Sequence, residues 1–542
     1  MTLVVNPAPA PALIPEGAPF SEDQRAWLNG FFAGLLSAEP TARSELPPLP
    51  ASADPAYRNP MEDGDDDEAP WHDPTLPLPE RMALADGRPL RRRMMAAMAQ
   101  QDCGQCGYNC ADYANSISLQ AEERLNLCAP GGKETARALK KLVEEMGGGA
   151  TDPESLEAKA RARREHATPS ATSGPSRAAP AAATFVSRRL LNRAGSEKST
   201  WHIEFDLSGS GVDYTAGDSF GLFAENDPAL VAAVISAIDA RPDFPIDGRT
   251  LSDVLTKDMS LGAAPDMLFE FISYLVGGPR RIKAKALARG EDPDGDAPTL
   301  DVLAALEKFP GLRPDPEAFV ECLEPLQPRL YSISSSPKVN PERLSLTVDH
   351  VRYEICGRTR QGVASSFLAD RAAPGAAMRV YVQRAHGFAL PADGATPIVM
   401  VGPGTGVAPF RAFLLERQAT GASGGAWLFF GHQRREHDFF YEEEFAALQQ
   451  AGALTKLSLA WSRDAAPKAY VQDRMREQGA ELWSWMLRGA HIYVCGDAAR
   501  MAADVDRALA AIARTHGGMS EAEARAFLAA LGEAGRYQKD VY

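Results

Sequence analysis

No apolar run in this sequence approaches the roughly 20 residues that a bilayer-spanning helix requires, so membrane insertion is not expected. The opening stretch MTLVVNPAPAPALIPEG lacks a basic segment followed by an apolar core and a small-residue cleavage site. It does not read as a secretory signal, and cytoplasmic residence is the expectation. Positive charge is in short supply: 57 Lys and Arg face 72 Asp and Glu, a net charge of −15. That balance excludes a general nucleic-acid binder, which needs a basic surface to displace counterions from phosphates. Cysteine is scarce too, seven in 542 residues, which excludes a disulfide scaffold. Yet Cys103, Cys106, Cys110 and Cys128 share one short stretch, while Cys322, Cys356 and Cys495 are scattered. In a cytosolic chain such clustering points to metal.

The length suits two to four domains, and composition shifts suggest where they divide. Residues 1–37 contain SEDQRAWLNGFFAGLLS, a helix opened by Ser21 and Gln24 with Trp27, Leu28, Phe31, Phe32, Leu35 and Leu36 on one face, fit to pack on its own protein or to dock a partner. Residues 38–88 are Pro-rich and carry EDGDDDE, the composition of a linker. Residues 89–149 return to helix-compatible sequence around the clustered cysteines, and 150–183 end in ATPSATSGPSRAAPAAA, a second tether. From 184 to 395, runs such as TFVSRRLL, STWHIEFDLS and LSLTVDHVRYEI alternate as antiparallel strands do, with a helical insertion over about 227–324. Residues 396–542 alternate strand and helix: PIVMVG, VAPFRAFLLERQA, AWLFFGH, LTKLSLAWS, HIYVCGD. The fold class expected is multidomain α+β and α/β: a small helical cysteine domain, an antiparallel barrel with a helical insertion, then a doubly wound parallel sheet of Rossmann type.

Gly402, Gly404, Thr405 and Gly406 follow a buried-type strand and open a helix, where closely spaced glycines let the backbone approach a pyrophosphate. Beyond the third strand of that sheet stand Ser462, Arg463, Lys468 and Tyr470, cations and hydroxyls where an adenosine ribose would lie. Fixed cations there favour a 2′-phosphate, hence NADPH over NADH. Upstream, Arg329, Leu330, Tyr331 and Ser332 on a barrel strand offer a guanidinium, an aromatic face and a hydroxyl, and Gly362, Val363, Ala364 and Ser365 begin a helix. Together these suit a flavin dinucleotide such as FAD.

The ordered motifs RLYSISSSP, GVASSFLAD, GPGTGVAPFRAF, LAWSRD with KAYVQDRMREQGAELW, IYVCGD and YQKDVY closely resemble the FAD and NADPH modules of the bacterial NADPH-sulfite reductase flavoprotein (α) component family. That family belongs with the ferredoxin-NADP and diflavin reductases, and the match covers most of Thr184 to Tyr542. The resemblance implies FAD contacts from Arg329 through Ser332, from Thr347, Val348, Asp349 and Tyr353, and from Gly362 through Ser365. It implies NADPH contacts from Ser462, Arg463, Lys468, Ala469, Tyr470, Val471, Gln472 and Asp504. It also implies that Tyr542 stacks on the flavin where nicotinamide must come in, with Ser332, Cys495 and Asp540 around the reacting rings. The bland reading of Cys495 is a buried core thiol.

Family members carry an FMN domain ahead of this module, whereas nothing before Thr184 has the strand-helix alternation to build one, so no FMN is expected. The spacing C-x2-C-x3-C-x17-C from Cys103 to Cys128 instead supplies the four thiolates that a 4Fe-4S cluster takes, with structural zinc as the alternative. The expected function is electron transfer from NADPH through FAD and this cluster to a terminal reductase, the sirohaem subunit of assimilatory sulfite reductase by the resemblance. A nitrate or nitrite reductase acceptor and a zinc-containing NADPH diaphorase are the alternatives.

Overall fold

The computed structural model describes residues 69–101, 106, 108–146, 175–355, 357–385 and 387–542. These belong to one compact unit spanning Gly64–Tyr542. The expected helix at Ser21–Ser37, the acidic run, Cys103, Cys356 and most of the second tether lie outside the described residues.

Four helices make the first layer: α1 (Leu78–Leu84), α2 (Leu90–Ala97), α3 (Cys110–Ser118) and α4 (Gly132–Met146). Among the described residues, Ala69–Arg88 pack as part of this layer although the stretch 38–88 is expected as linker. The reason is Trp71, fully buried with the Arg92 guanidinium 4.9 Å above its ring: one indole recruits flanking Pro-rich chain into a core. Asn109 caps α3, accepting from the Asp112 amide at 2.7 Å, and so fixes Cys110 in the first turn. Tyr113 donates to the Arg124 carbonyl (2.6 Å) and accepts from the Leu127 amide (3.2 Å), which pins the loop carrying Cys128. This layer rests on the helical insertion of the next domain. Arg137 pairs with Asp266 at 3.0 Å, Asn126 donates to Glu324 at 3.1 Å, and Lys133 reaches the Ala264 carbonyl.

The barrel strands are β1 (Ala181–Leu190), β2 (Thr200–Asp206), β3 (Ser219–Leu222), β4 (Arg329–Ser332), β5 (Arg343–Asp349) and β6 (Ala377–Gln383), all antiparallel in the order β4-β3-β6-β1-β2-β5. An isolated Ile333–Leu346 bridge joins the residue after β4 to β5, the two outer strands of this antiparallel sheet. β1 begins three residues before the expected boundary at Thr184, because Ala181, Ala182 and Ala183 already pair with Val380, Arg379 and Met378. Phe185, Phe205, Phe220, Leu346 and Val380 fill the interior. Between β3 and β4 the insertion packs six helices around its own core: α5 (Pro228–Ala237), α6 (Leu251–Lys257), α7 (Asp266–Leu275), α8 (Gly278–Ala288), α9 (Val302–Lys308) and α10 (Pro316–Glu321). LSLTVDHVRYEI, read as one strand, breaks at His350: β5 stays in the barrel, while Arg352–Ile355 pairs with Arg358–Gln361 in a separate hairpin.

The last layer is a parallel sheet in the order β9-β8-β7-β10-β11, formed by β7 (Ile398–Val401), β8 (Ala426–His432), β9 (Lys456–Trp461), β10 (His491–Gly496) and β11 (Tyr537–Val541). Ile398–Val401 and Ala426–Gly431 are buried throughout, as strands covered on both faces must be. Helices α11 (Ala408–Thr420), α12 (Glu442–Gln450), α13 (Val471–Glu477), α14 (Gly479–Leu487), α15 (Ala503–Gly517) and α16 (Glu521–Glu533) complete the domain. Gln478 separates α13 from α14, where sequence alone suggested one helix. β11 was not expected as a strand. It adds beside β10 at the edge of the sheet, pairing Tyr537–Val541 with Ile492–Gly496.

Candidate functional site

The strand order reverses between β7 and β10, and in such sheets ligands bind outside the carboxyl ends of the strands at the reversal. The Gly402–Gly406 turn leaves β7 at this point. A Cβ on Gly402 would sit 2.4 Å from the Gly406 carbonyl oxygen, and one on Gly406 would sit 2.1 Å from that of Cys495, so neither position tolerates a side chain. Cys495 closes β10, and Asp540 lies opposite it on β11.

Asp540 is where three strands from two domains converge. Ser332, at the end of barrel strand β4, donates to its Oδ2 at 2.7 Å, and the fully buried Cys495 thiol approaches the same oxygen at 3.6 Å. Burial pushes the Asp540 carboxyl above the ordinary carboxylate range and the Cys495 thiol well above the usual thiol value. Above the group stands Tyr542, its amide donating to the Gly496 carbonyl (3.0 Å) and its hydroxyl 2.9 Å from Thr405 Oγ1. Tyr542, the residue after β11, is 56% exposed, so it presents an aromatic side chain at the switch point without burying it.

Beside this centre opens a cleft of about 550 Å³, the size range of a nucleotide site. Of the residues expected to hold NADPH, Gly404, Ser462, Ala469, Tyr470, Val471, Gln472 and Asp504 line it. Gln472 donates to Asp504 at 3.2 Å, which ties α13 to α15 across its floor. Arg463 and Lys468 are exposed outside the lining, and Arg463 is ion-paired with Glu197 of the barrel domain. Sequence reasoning missed Lys198, His432, Gln433, Asp497, Arg500 and Met501 in the wall. Asp497 had a local signal, an acidic N-cap directly after a buried strand: it accepts from the Arg500 amide at 2.7 Å. Lys198 had none, since it comes from the β1–β2 turn of another domain. His432 lies 3.2 Å from buried Asp438, yet burial outweighs that carboxylate and lowers the imidazole below its ordinary value.

The residues expected around FAD divide by exposure. Arg329 and Tyr353 are exposed, and Leu330, Tyr331, Asp349, Gly362 and Val363 are half-buried. Asp349 accepts from Thr200 Oγ1 (3.1 Å) and Lys198 (3.2 Å), and a Cβ on Gly362 would lie 2.7 Å from Ser365 Oγ. Thr347, Val348, Ala364 and Ser365 are buried. Thr347 turns its hydroxyl to Tyr441 of the nicotinamide-side domain at 2.7 Å. His202 bonds the same hydroxyl at 3.1 Å, and burial lowers this imidazole to about 4.

The described thiols of the cysteine stretch line one pocket, but no three or more His, Cys, Asp or Glu side chains among the described residues are placed to hold a metal ion. Cys106, Cys110 and Cys128 line a single pocket with Met98, Ala99, Tyr113 and Pro130, and none of the three is in a disulfide. A Cβ on Gly131 would come within 2.2 Å of Thr135 Oγ1 and 3.0 Å of the Cys128 sulfur, so this turn needs glycine chiefly to clear Thr135. Burial raises the Cys106 and Cys128 thiols. A cationic cluster would reverse that penalty, as thiolates buried without a metal are unfavourable.

Comparisons with known proteins bear on the two nucleotide-binding layers. Residues 175–273 and 294–367 match the FAD binding domain model, and residues 400–507 match the oxidoreductase NAD-binding domain model. The chain carries both domains. It is 42% identical over 380 residues to the sulfite reductase [NADPH] flavoprotein alpha-component of Yersinia pestis bv. Antiqua, covering 68% of this chain and 61% of that protein. The proteins of the same name from Salmonella typhi and Photorhabdus laumondii subsp. laumondii are each 41% identical, over 384 and 369 residues, covering 68% and 67% of this chain and 62% and 61% of theirs. The chain thus spans about 61% of the length of such relatives, and the matched domain models do not reach the four-cysteine stretch.

Proposed function

We propose that this chain oxidises NADPH at the switch point, with FAD held against the barrel, and delivers the electrons through a 4Fe-4S cluster on Cys103, Cys106, Cys110 and Cys128 to a terminal reductase. The observation that carries the reading is the Ser332–Asp540–Cys495 group beneath the exposed Tyr542 ring, between two nucleotide-binding layers. FAD, when bound, accepts a hydride and releases electrons one at a time. The chain's own residues supply the rest. Tyr542 covers the flavin position and must swing aside for nicotinamide. Ser332 and Asp540 offer a hydroxyl and a carboxyl whose ionisation burial opposes, fixed by one hydrogen bond and ready to meet charge as it develops. Arg329 and the Gly362 turn would hold the FAD phosphates, and the Gly402–Gly406 turn those of NADPH.

The cysteine set is suited to a cluster because the three described thiols open on one pocket lined by apolar side chains, the kind of surrounding that tunes a cluster potential. The proposed acceptor is a sirohaem sulfite reductase subunit, because the relatives are named as flavoprotein components of sulfite reductase. Anaerobic mixing with NADPH should bleach the flavin band, and the purified protein should contain iron and acid-labile sulfide and give a low-temperature EPR signal after dithionite reduction. Zinc without iron would sink the relay and leave an NADPH diaphorase. A sirohaem absorption spectrum in whatever copurifies from the native host would test the acceptor.

A further inference from the structure

The turn between β1 and β2, residues 191–199, belongs to the barrel domain but is fastened to the other. Asn192 and Ser196 donate to the buried Asp438 carboxylate at 2.9 and 2.5 Å, and Arg193 pairs with Glu442 at 2.6 Å. Burial opposes ionisation of Asp438, but these bonds and the Arg434 amide hold it below its ordinary value, so the anchor is charged. Gly195, at φ +95°, lies so close to the His437 ring that a Cβ would come within 2.8 Å. With its root fixed, the turn aims two opposite charges at the nucleotide cleft. Lys198 lines the wall and bonds Asp349, and Glu197 pairs with Arg463 at the rim, 266 residues away in sequence.

A guanidinium binds carboxylate and phosphate with the same planar fork. Arg463 therefore cannot serve Glu197 and a ribose 2′-phosphate fully at once. We propose that Glu197 is a specificity-determining residue, an internal counter-ion that occupies Arg463 until the 2′-phosphate of the nucleotide replaces it. The inference rests on the reading of Arg463 as the 2′-phosphate cation. Occupancy of the pair lowers the fraction of binding-competent sites and so weakens apparent affinity in proportion. Only ligands that carry the 2′-phosphate must break it. A ligand with a bare ribose hydroxyl has no need of Arg463. Both partners are partly exposed, 39% for Arg463 and 60% for Glu197, so the pair is of the modest, salt-sensitive kind.

The test is calorimetric titration of the FAD-loaded full chain with adenosine 2′,5′-bisphosphate and, separately, with ADP. Glu197→Gln should tighten the bisphosphate about three- to fivefold at low salt, within the range of an exposed pair, and leave ADP within about twofold. Glu197→Asp, which keeps the charge, should stay near wild type in both titrations. In a Glu197→Gln/Arg463→Gln double variant the gain should vanish, because nothing is left to compete for. Equal tightening for both ligands would mean a general charge effect and overturn the proposal, and weakened ADP binding would overturn it by making Glu197 a ribose ligand. Unchanged bisphosphate affinity in Glu197→Gln, with selectivity lost in Arg463→Gln, would overturn the inference but spare the Arg463 reading. Arg463→Gln with selectivity intact would overturn both.

Discussion

The nucleotide-binding module and the four-cysteine layer solve the problem of holding a cofactor in opposite ways. In the module the ligand positions lie at strand ends and glycine turns, backbone features that a doubly wound sheet produces wherever its order reverses. In the cysteine layer the candidate ligands are side chains on short helices and loops, and the fold around them is small: its central cluster of buried residues is 13 strong, Met94 to Leu142. The first design keeps its shape without its ligand, since the sheet is stabilised by its own buried runs. In the second, burial disfavours the thiolate form at Cys106 and Cys128, a penalty that a bound metal would offset. Binding should therefore be separable from folding in the module and coupled to it in the cysteine layer.

The largest expected effect falls on that coupling. Cys128→Ser should abolish iron incorporation and bring delivery to a protein acceptor down to background, while flavin content and NADPH-dependent ferricyanide reduction stay within about twofold. Loss of flavin together with iron would erase the distinction between the two regions. Asp540→Asn should slow hydride transfer by about a hundredfold in stopped flow, the usual scale for one group facing developing charge. It should also alter stability in a pH-dependent way. Because the native carboxyl is raised, its folded neutral form is favoured below the ordinary carboxylate range, and that contribution is lost as pH rises through the raised value. The Asn variant stays neutral, so its melting-temperature advantage over wild type should grow from pH 4 to pH 8. A constant difference would show that Asp540 is not raised. Smallest is Tyr542→Ala, which should improve NADH use relative to NADPH by about tenfold, the worth of a stacked aromatic contact. Stability should be unaffected, since the ring is mostly exposed. An unchanged cofactor preference would remove the lid role.

Much of the module was readable in the sequence. Three of its five parallel strands announce themselves as apolar runs, and the glycines of 402–406 stand where backbone must pass close to backbone. The fifth strand, YQKDV, has no such run, since it is polar and pairs along one edge only with β10. The site was legible in parts for the same reason. Ser462 through Gln472 sit on a local strand-turn-helix unit that a linear pattern reveals. Lys198 reaches the cleft, and Glu197 reaches Arg463, from a turn that no motif marks, and Thr347 could not be seen to spend its hydroxyl on Tyr441. In the cysteine layer the spacing revealed the ligand candidates, but composition misled about Trp71, because proline-rich chain reads as linker until a single buried indole gives it a core.

Sequence by itself determined the kinds of layer, their order along the chain, and the residue types at each strand end, because periodicity and glycine placement act over a few neighbouring residues. Tertiary structure alone decided that Ser332, Cys495 and Asp540 meet at one oxygen, that Tyr542 stands over them, and that Glu197 holds Arg463. Those contacts join residues more than a hundred positions apart or on different strands. They follow from antiparallel strand pairing, the switch in strand order and the docking of one turn, none of which has a local signature.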